Sequence, residues 1–193
     1  SYAGGAYQDA FLARFASSGA CNWSTYYGGS SDDIAYGVNT DSYDNIIIAG
    51  SSNSLDFPVS PTAFQPSIAG DRDGVVVSFA ANGSRNWATY FGGDGLDNIY
   101  GNAIDGNSCV YFTGYTLSSN FPTLNPFQSV PGGDDDAFVA QLNSNGQLPG
   151  FNAPPVAVAS AIPQQGTVPL SVNFNSAGSY DPESTSLTYF WTF

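Results

Sequence analysis

Chemistry in this chain falls to aspartate and to little else. The 193 residues hold sixteen acidic side chains, of which only Glu183 is a glutamate, against three arginines (Arg14, Arg72, Arg85), two cysteines and no lysine or histidine. Without histidine, a serine or cysteine nucleophile of the usual triad kind has no base. Two cysteines without histidine do not complete a zinc site. What remains is a carboxylate pair for glycoside hydrolysis, or clustered oxygens for a calcium ion. Carboxylates for such a pair would come from Asp32, Asp33, Asp97 and Asp134–Asp136. For calcium, the oxygen-rich stretches are Asp134-Asp135-Asp136, Asp71-x-Asp73 and Asp41-x-x-Asp44-Asn45. None of them reproduces an EF-hand loop or a calcium-binding nonapeptide. Aspartate beside Gly-Gly or in a hydrophilic loop is a turn and cap former. The expectation is therefore a protein without catalytic residues and without a required cofactor. Structural calcium on Asp134, Asp135, Asp136, Asp71 and Asp73 is the metal candidate.

The charge balance excludes further classes. A formal net charge of −13 leaves almost nothing to neutralise phosphates, so nucleic acid is not expected as a partner. An anionic membrane surface is repelled for the same reason, and no apolar run is long enough to insert. No leader peptide is legible either, so an export signal is expected to lie outside this sequence or to have been removed. Cys21 and Cys109 stand at non-equivalent repeat positions; a disulfide between them and two free thiols both fit.

Composition points to strands. Twenty-two glycines, twelve prolines and 15% aromatic residues supply turns and strand formers, and no apolar helical stripe is sustained. The chain reads as all-β. Self-similarity organises it, with a period of about 64 residues. Asp9-Ala-Phe-Leu-Ala-Arg-Phe returns as Asp73-Gly-Val-Val-Val-Ser-Phe and as Asp136-Ala-Phe-Val-Ala-Gln-Leu. Trp23-Ser-Thr-Tyr-Tyr-Gly-Gly returns as Trp87-Ala-Thr-Tyr-Phe-Gly-Gly, Phe57-Pro58 as Phe121-Pro122 and Phe64-Gln65 as Phe127-Gln128. Strands are predicted at 10–16, 22–27, 34–40 and 45–50, and again one repeat later. Phe11, Ala13 and Phe15 should share a face, as should Val75, Val77 and Phe79, and Phe138, Ala140 and Leu142, with Arg14, Ser78 and Gln141 on the opposite, wetter one. Asn82-Gly83, Asn145-Gly146 and Asp105-Gly106-Asn107 are hairpin signals. Trp23 and Trp87, like Tyr26, Tyr27, Tyr90, Phe91 and Tyr115, read as packing residues rather than sugar-stacking ones.

The Asp-Ala-Phe strand, the Trp-x-Thr-Tyr strand and Gly114–Pro122 resemble the SBBP-type bacterial β-propeller repeat over roughly residues 2–148. The resemblance implies tandem four-stranded, propeller-like blades. The units fall at 9–72 and 73–135, preceded by a tail at 1–8 and followed by a third start or closing strand at 136–148. Two and a half blades do not close a ring, so further repeats in a longer polypeptide, or neighbouring chains, are expected to cover the open edges. Residues 149–155 read as a linker. From 156 to 193, Gly166-Thr-Val-Pro-Leu-Ser-Val-Asn-Phe, Ser179-Tyr-Asp-Pro and Tyr189-Phe-Trp-Thr-Phe resemble the first part of a PKD domain, an immunoglobulin-like sandwich, expected to be incomplete. This layout resembles large secreted or cell-surface bacterial adhesins, including type IX secretion cargo and gliding-surface proteins. The expectation is a structural, adhesive extracellular protein. Its partners would be extracellular proteins, glycans or other copies of itself. A self-assembling fibre subunit and a glycan-binding or glycan-cleaving module are the rivals.

Overall fold

The computed structural model describes residues 7–150, 156–162, 165, 171–180 and 187–188. The chain divides into two compact units, residues 1–149 and 150–193. Among the described residues there are eleven strands and no helix, as the glycine, proline and aspartate content dictates.

The first unit holds three antiparallel sheets. β1 (Ala10–Phe15) pairs with β2 (Cys21–Tyr27). β3 (Asp33–Thr40), β4 (Ile46–Ser52), β5 (Asp73–Phe79) and β6 (Arg85–Phe91) form a four-stranded sheet in sequence order. β7 (Asp97–Ile104), β8 (Val110–Thr116) and β9 (Asp136–Leu142) form a three-stranded sheet. The repeat is visible in the coordinates, since β3 and β7 open on Asp33 and Asp97, and β5 and β9 on Asp73 and Asp136. Sheets and sequence units are nevertheless out of phase. The strands of unit 9–72 belong to two sheets, and β3–β4 are joined by β5–β6 from the next unit. Gly28-Gly29 and Gly92-Gly93 carry the chain from one sheet to the next, whereas the long 53–72 segment returns to pair within a sheet.

The three sheets stack, with the four-stranded one in the middle. On one face Val75, Val77, Phe79, Ile46 and Ile48 pack against Leu12, Trp23 and Tyr27 of the first sheet. On the other, Ile47, Ala49, Val76, Trp87 and Phe91 pack against Ile99, Val110, Phe112, Phe138 and Leu142 of the third. Every residue of β4 and β5 is buried, which is why Ile-Ile-Ile and Val-Val-Val replace alternation in these strands. The expected wet face is therefore corrected for β5, where Ser78 is buried together with Val76. The end sheets keep one open face each. Phe11 is 72% exposed where its equivalent Val75 is 5% exposed, and Val139 is 79% exposed where Val76 is fully covered.

The hairpin glycines follow their sequence signals. Gly83 and Gly146 have φ of 87° and 77°, a region open to glycine at no steric penalty. At the β7–β8 turn the positive φ falls on Ser108 rather than Gly106, because Asp105 Oδ1 accepts the Asn107 and Cys109 N–H groups and sets the turn itself.

In the second unit β10 (Ser160–Ile162) pairs with β11 (Asn173–Asn175), and Val156 bridges Tyr180. The Ser179 hydroxyl accepts from Val158 N–H and donates to the Val158 carbonyl. Most of the PKD-like pattern, including residues 166–170, Asp181-Pro182 and the 189–193 strand, lies outside the described residues, as do residues 2–6 of the expected leading tail and most of the 149–155 linker.

Candidate functional site

The aspartates that open strands are clamps on the preceding loops. Asp33 Oδ2 accepts the Gly29 N–H at 2.6 Å and the Ser54 hydroxyl at 2.8 Å. One repeat later Asp97 Oδ2 accepts the Gly93 N–H and the Ser118 hydroxyl, both at 2.7 Å. Asp73 Oδ2 accepts from Gln65 Nε2 at 2.5 Å and Ala69 N–H at 2.9 Å, and Asp136 Oδ2 accepts the Gly132 N–H at 2.7 Å. In all four, an aspartate at a strand start takes the amide four residues before it. Asp33, Asp73 and Asp97 are fully buried. Burial pushes the Asp33 and Asp73 carboxyls above their ordinary range, against the pull of the hydrogen bonds, and the neighbouring Asp9 and Asp97 charges add to the rise.

A second set of carboxylates ties loops at the surface. The Ser30 N–H and hydroxyl donate to Asp56 and hold its carboxyl below the ordinary range. In the next repeat the carboxylate stands at the position of Ser30: Ser119 donates its hydroxyl and N–H to Asp94 with the same effect. At Asp41, burial acts upward, but hydrogen bonds from Asn45 and Tyr43 outweigh it and lower the carboxyl.

The calcium candidates do not converge. Asp73 is buried in its clamp, Asp71 is exposed and offers its carbonyl to Asn53, and Asp134 and Asp135 are exposed beside Asp136. Asp71, Asp134 and Asp135 lie in the loops before β5 and β9 while Asp73 and Asp136 open those strands, and among the described residues no group of three or more metal-ligating side chains gathers. Asp32 and Asp33 are likewise parted, Asp32 Oδ1 accepting the Gln8 N–H. Of the two alternatives for the cysteines, the structure has both thiols free, Cys21 exposed on β2 and Cys109 partly buried just before β8.

The tryptophans tie sheet to sheet. Trp23 Nε1 donates to the Ala81 carbonyl at 3.0 Å, and Trp87 Nε1 to the Ser144 carbonyl at 2.7 Å. Each indole lies on the glycine of the next sheet's hairpin, Gly83 or Gly146. The arginines serve the same interfaces. Arg14 donates to the Ala81 carbonyl and pairs with Asp44 at 3.5 Å, while Arg85 donates to Tyr27 and Pro58.

Two surface features escaped the sequence reading. Tyr36 and Tyr100 are the bulged residues of β3 and β7, and a bulge re-aims a side chain. Both are exposed, with ring centroids 5.2 Å apart, and Tyr115 follows 5.8 Å from Tyr100. Burial raises the Tyr115 hydroxyl, with Tyr100 and Asp135 adding and Arg72 opposing. Separately, a cleft of about 560 Å³ is lined by Asn45, Asn86, Asn107, Asn145 and Trp87, with exposed Tyr43 at its rim. Recurrence of Tyr at one repeat position was the available signal for the first. Nothing in the sequence marks the second, because its amides come from four separate segments.

The described residues of the first unit form an all-β arrangement of short antiparallel strands in stacked sheets. The model of the SBBP family, a beta-propeller repeat, matches residues 22–58, from β2 through β3 and β4 to Pro58. No curated protein matches the chain.

Proposed function

We propose that the chain is a structural, adhesive module of an extracellular protein, in which tandem propeller blades form a rigid platform and a PKD-like module follows as a spacer. The observation that carries this reading is the use made of the polar side chains. The strand-opening aspartates, the indoles and the arginines that elsewhere would do chemistry are spent on loop clamps and sheet-to-sheet ties. A middle sheet covered on both faces resists deformation, and loops and bulges displayed on such a scaffold are where recognition sits. The test is adhesion of beads coated with the chain to extracellular proteins and polysaccharides, run alongside assays of polysaccharide hydrolysis. Adhesion without turnover is expected. Turnover lost in Asp33→Asn or Asp97→Asn would overturn the non-enzymatic reading.

A second reading, glycan binding, is favoured by the amide-lined cleft. Its volume lies in the range of small-ligand sites, and its asparagines both donate and accept. Saturable binding on a glycan array that is lost in Asn107→Ala supports this reading, and silence on the array removes it.

A further inference from the structure

The edge of β9 that no described strand pairs with runs beside a groove of about 710 Å³, lined among others by Phe121, Phe127, Val130, Phe138 and Leu148. Among the described strands β9 pairs with β8 alone, whereas its equivalent β5 pairs with both β4 and β6. We propose that this groove binds an extended peptide strand of the repeat's own type, Trp-x-Thr-Tyr-aromatic-Gly-Gly, carried by another polypeptide, and holds it by strand addition.

The middle sheet shows how such a strand is gripped. β6 is laddered to β5 on one edge and held on the other by the segment that carries Phe64-Gln65. There Phe64 stacks on Phe91 with centroids 5.4 Å apart. The Gln65 N–H donates to Thr89 Oγ1, and the Gln65 carbonyl and side-chain oxygen accept the Tyr90 and Gly92 N–H groups. One repeat later the same gripping pair is Phe127-Gln128. Phe127 is fully exposed, and among the described residues the Gln128 amide donates to the carbonyl of Val130 in its own segment, as Gln65 does to Ser67. The groove thus presents a ladder edge, an aromatic ring and a glutamine, the three elements that hold β6.

The chain's own continuation is a poor occupant. After the turn at Ser144–Gly146, the positions that in β6 are Asn86-Trp87 hold Pro149-Gly150. Proline brings no N–H to a ladder, and glycine brings no ring to the groove. Pro154 and Pro155 remove two more donors from the sequence that follows.

The test uses the intact 193-residue chain and a fluorescent peptide of residues 84–93, Ser-Arg-Asn-Trp-Ala-Thr-Tyr-Phe-Gly-Gly. Anisotropy should show saturable binding that is lost with a scrambled peptide of the same composition. Phe127→Ala removes a side chain that is fully exposed, so the fold is unaffected, and it should weaken binding by about three- to tenfold, the value of one aromatic pair. Absence of saturable binding, equal binding of the scrambled peptide, or Phe127→Ala binding as tightly as the unmodified chain would each overturn the proposal.

Discussion

Replacing Asp97 separates a loop clamp from a ligand or a catalytic acid. Its Oδ2 accepts two hydrogen bonds at 2.7 Å, from Gly93 N–H and the Ser118 hydroxyl, while its buried Oδ1 has no partner. In Asp97→Ala both donors are stranded in the interior. Each unsatisfied donor costs about 1–3 kcal/mol, so the loss is about 2–6 kcal/mol. In Asp97→Asn the side-chain oxygen takes the place of Oδ2 and keeps both bonds, and the amide occupies the place of the partnerless Oδ1. The negative charge that helps to raise Asp73 disappears as well. Asp97→Asn should therefore lie within about 1 kcal/mol of the unmodified chain, on either side. Urea unfolding followed by tryptophan fluorescence resolves the two, since about 2–6 kcal/mol moves the midpoint by about 1 M or more. If Asp97→Asn is as damaging as Asp97→Ala, the charge itself is required and the clamp reasoning fails. A neutral Asp97→Ala refutes it from the other side.

Other outcomes follow from the same geometry. Gly146→Ala forces a side chain into a φ of 77° and against the Trp87 ring, and should lower stability by about 1–3 kcal/mol in the same urea assay. Because Asp73 is raised in the folded state above the ordinary 3.8, its penalty is present above its folded pKa and relieved as pH falls through it. The stability of Asp73→Asn relative to the unmodified chain should accordingly decline from neutral pH into the acid range, and a pH-independent difference would contradict the assignment. Thiol titration should find Cys21 reacting at once and Cys109 more slowly, with two thiols counted after unfolding. A count of zero before reduction would restore the disulfide.

Much of this fold is written in local pattern. The strands around Phe11, Val75 and Phe138 were predicted within a residue or two, because aromatic and β-branched runs between Gly, Asn and Asp turns leave little choice. Phase was not legible. A repeat of about 64 residues looks the same from any starting point, and only the pairing of Ala49 with Val76 shows that a sheet begins at Asp33 rather than at Asp9. Burial of Ser78 and Val76 was hidden for a related reason, since alternation describes one sheet and not a sheet enclosed between two others. The aspartates could be named but not assigned. Asp71 and Asp73 look alike in sequence, yet one is exposed and the other is fully buried in a clamp. Tyr36 and Tyr100 recur at one repeat position, but that spacing does not show that both sit on bulges that aim them outward.

The sheet β3–β6, covered on both faces, should behave as one cooperative body to which the neighbouring sheets are bolted. Native-state hydrogen exchange tests it directly. Amides of β4 and β5 should be the slowest in the first unit and should share one opening free energy with β3 and β6, with β1–β2 and β9 exchanging faster. Exchange of β1–β4 as one unit and β5–β8 as another would contradict the account, and would return the sequence repeat to the role of structural unit.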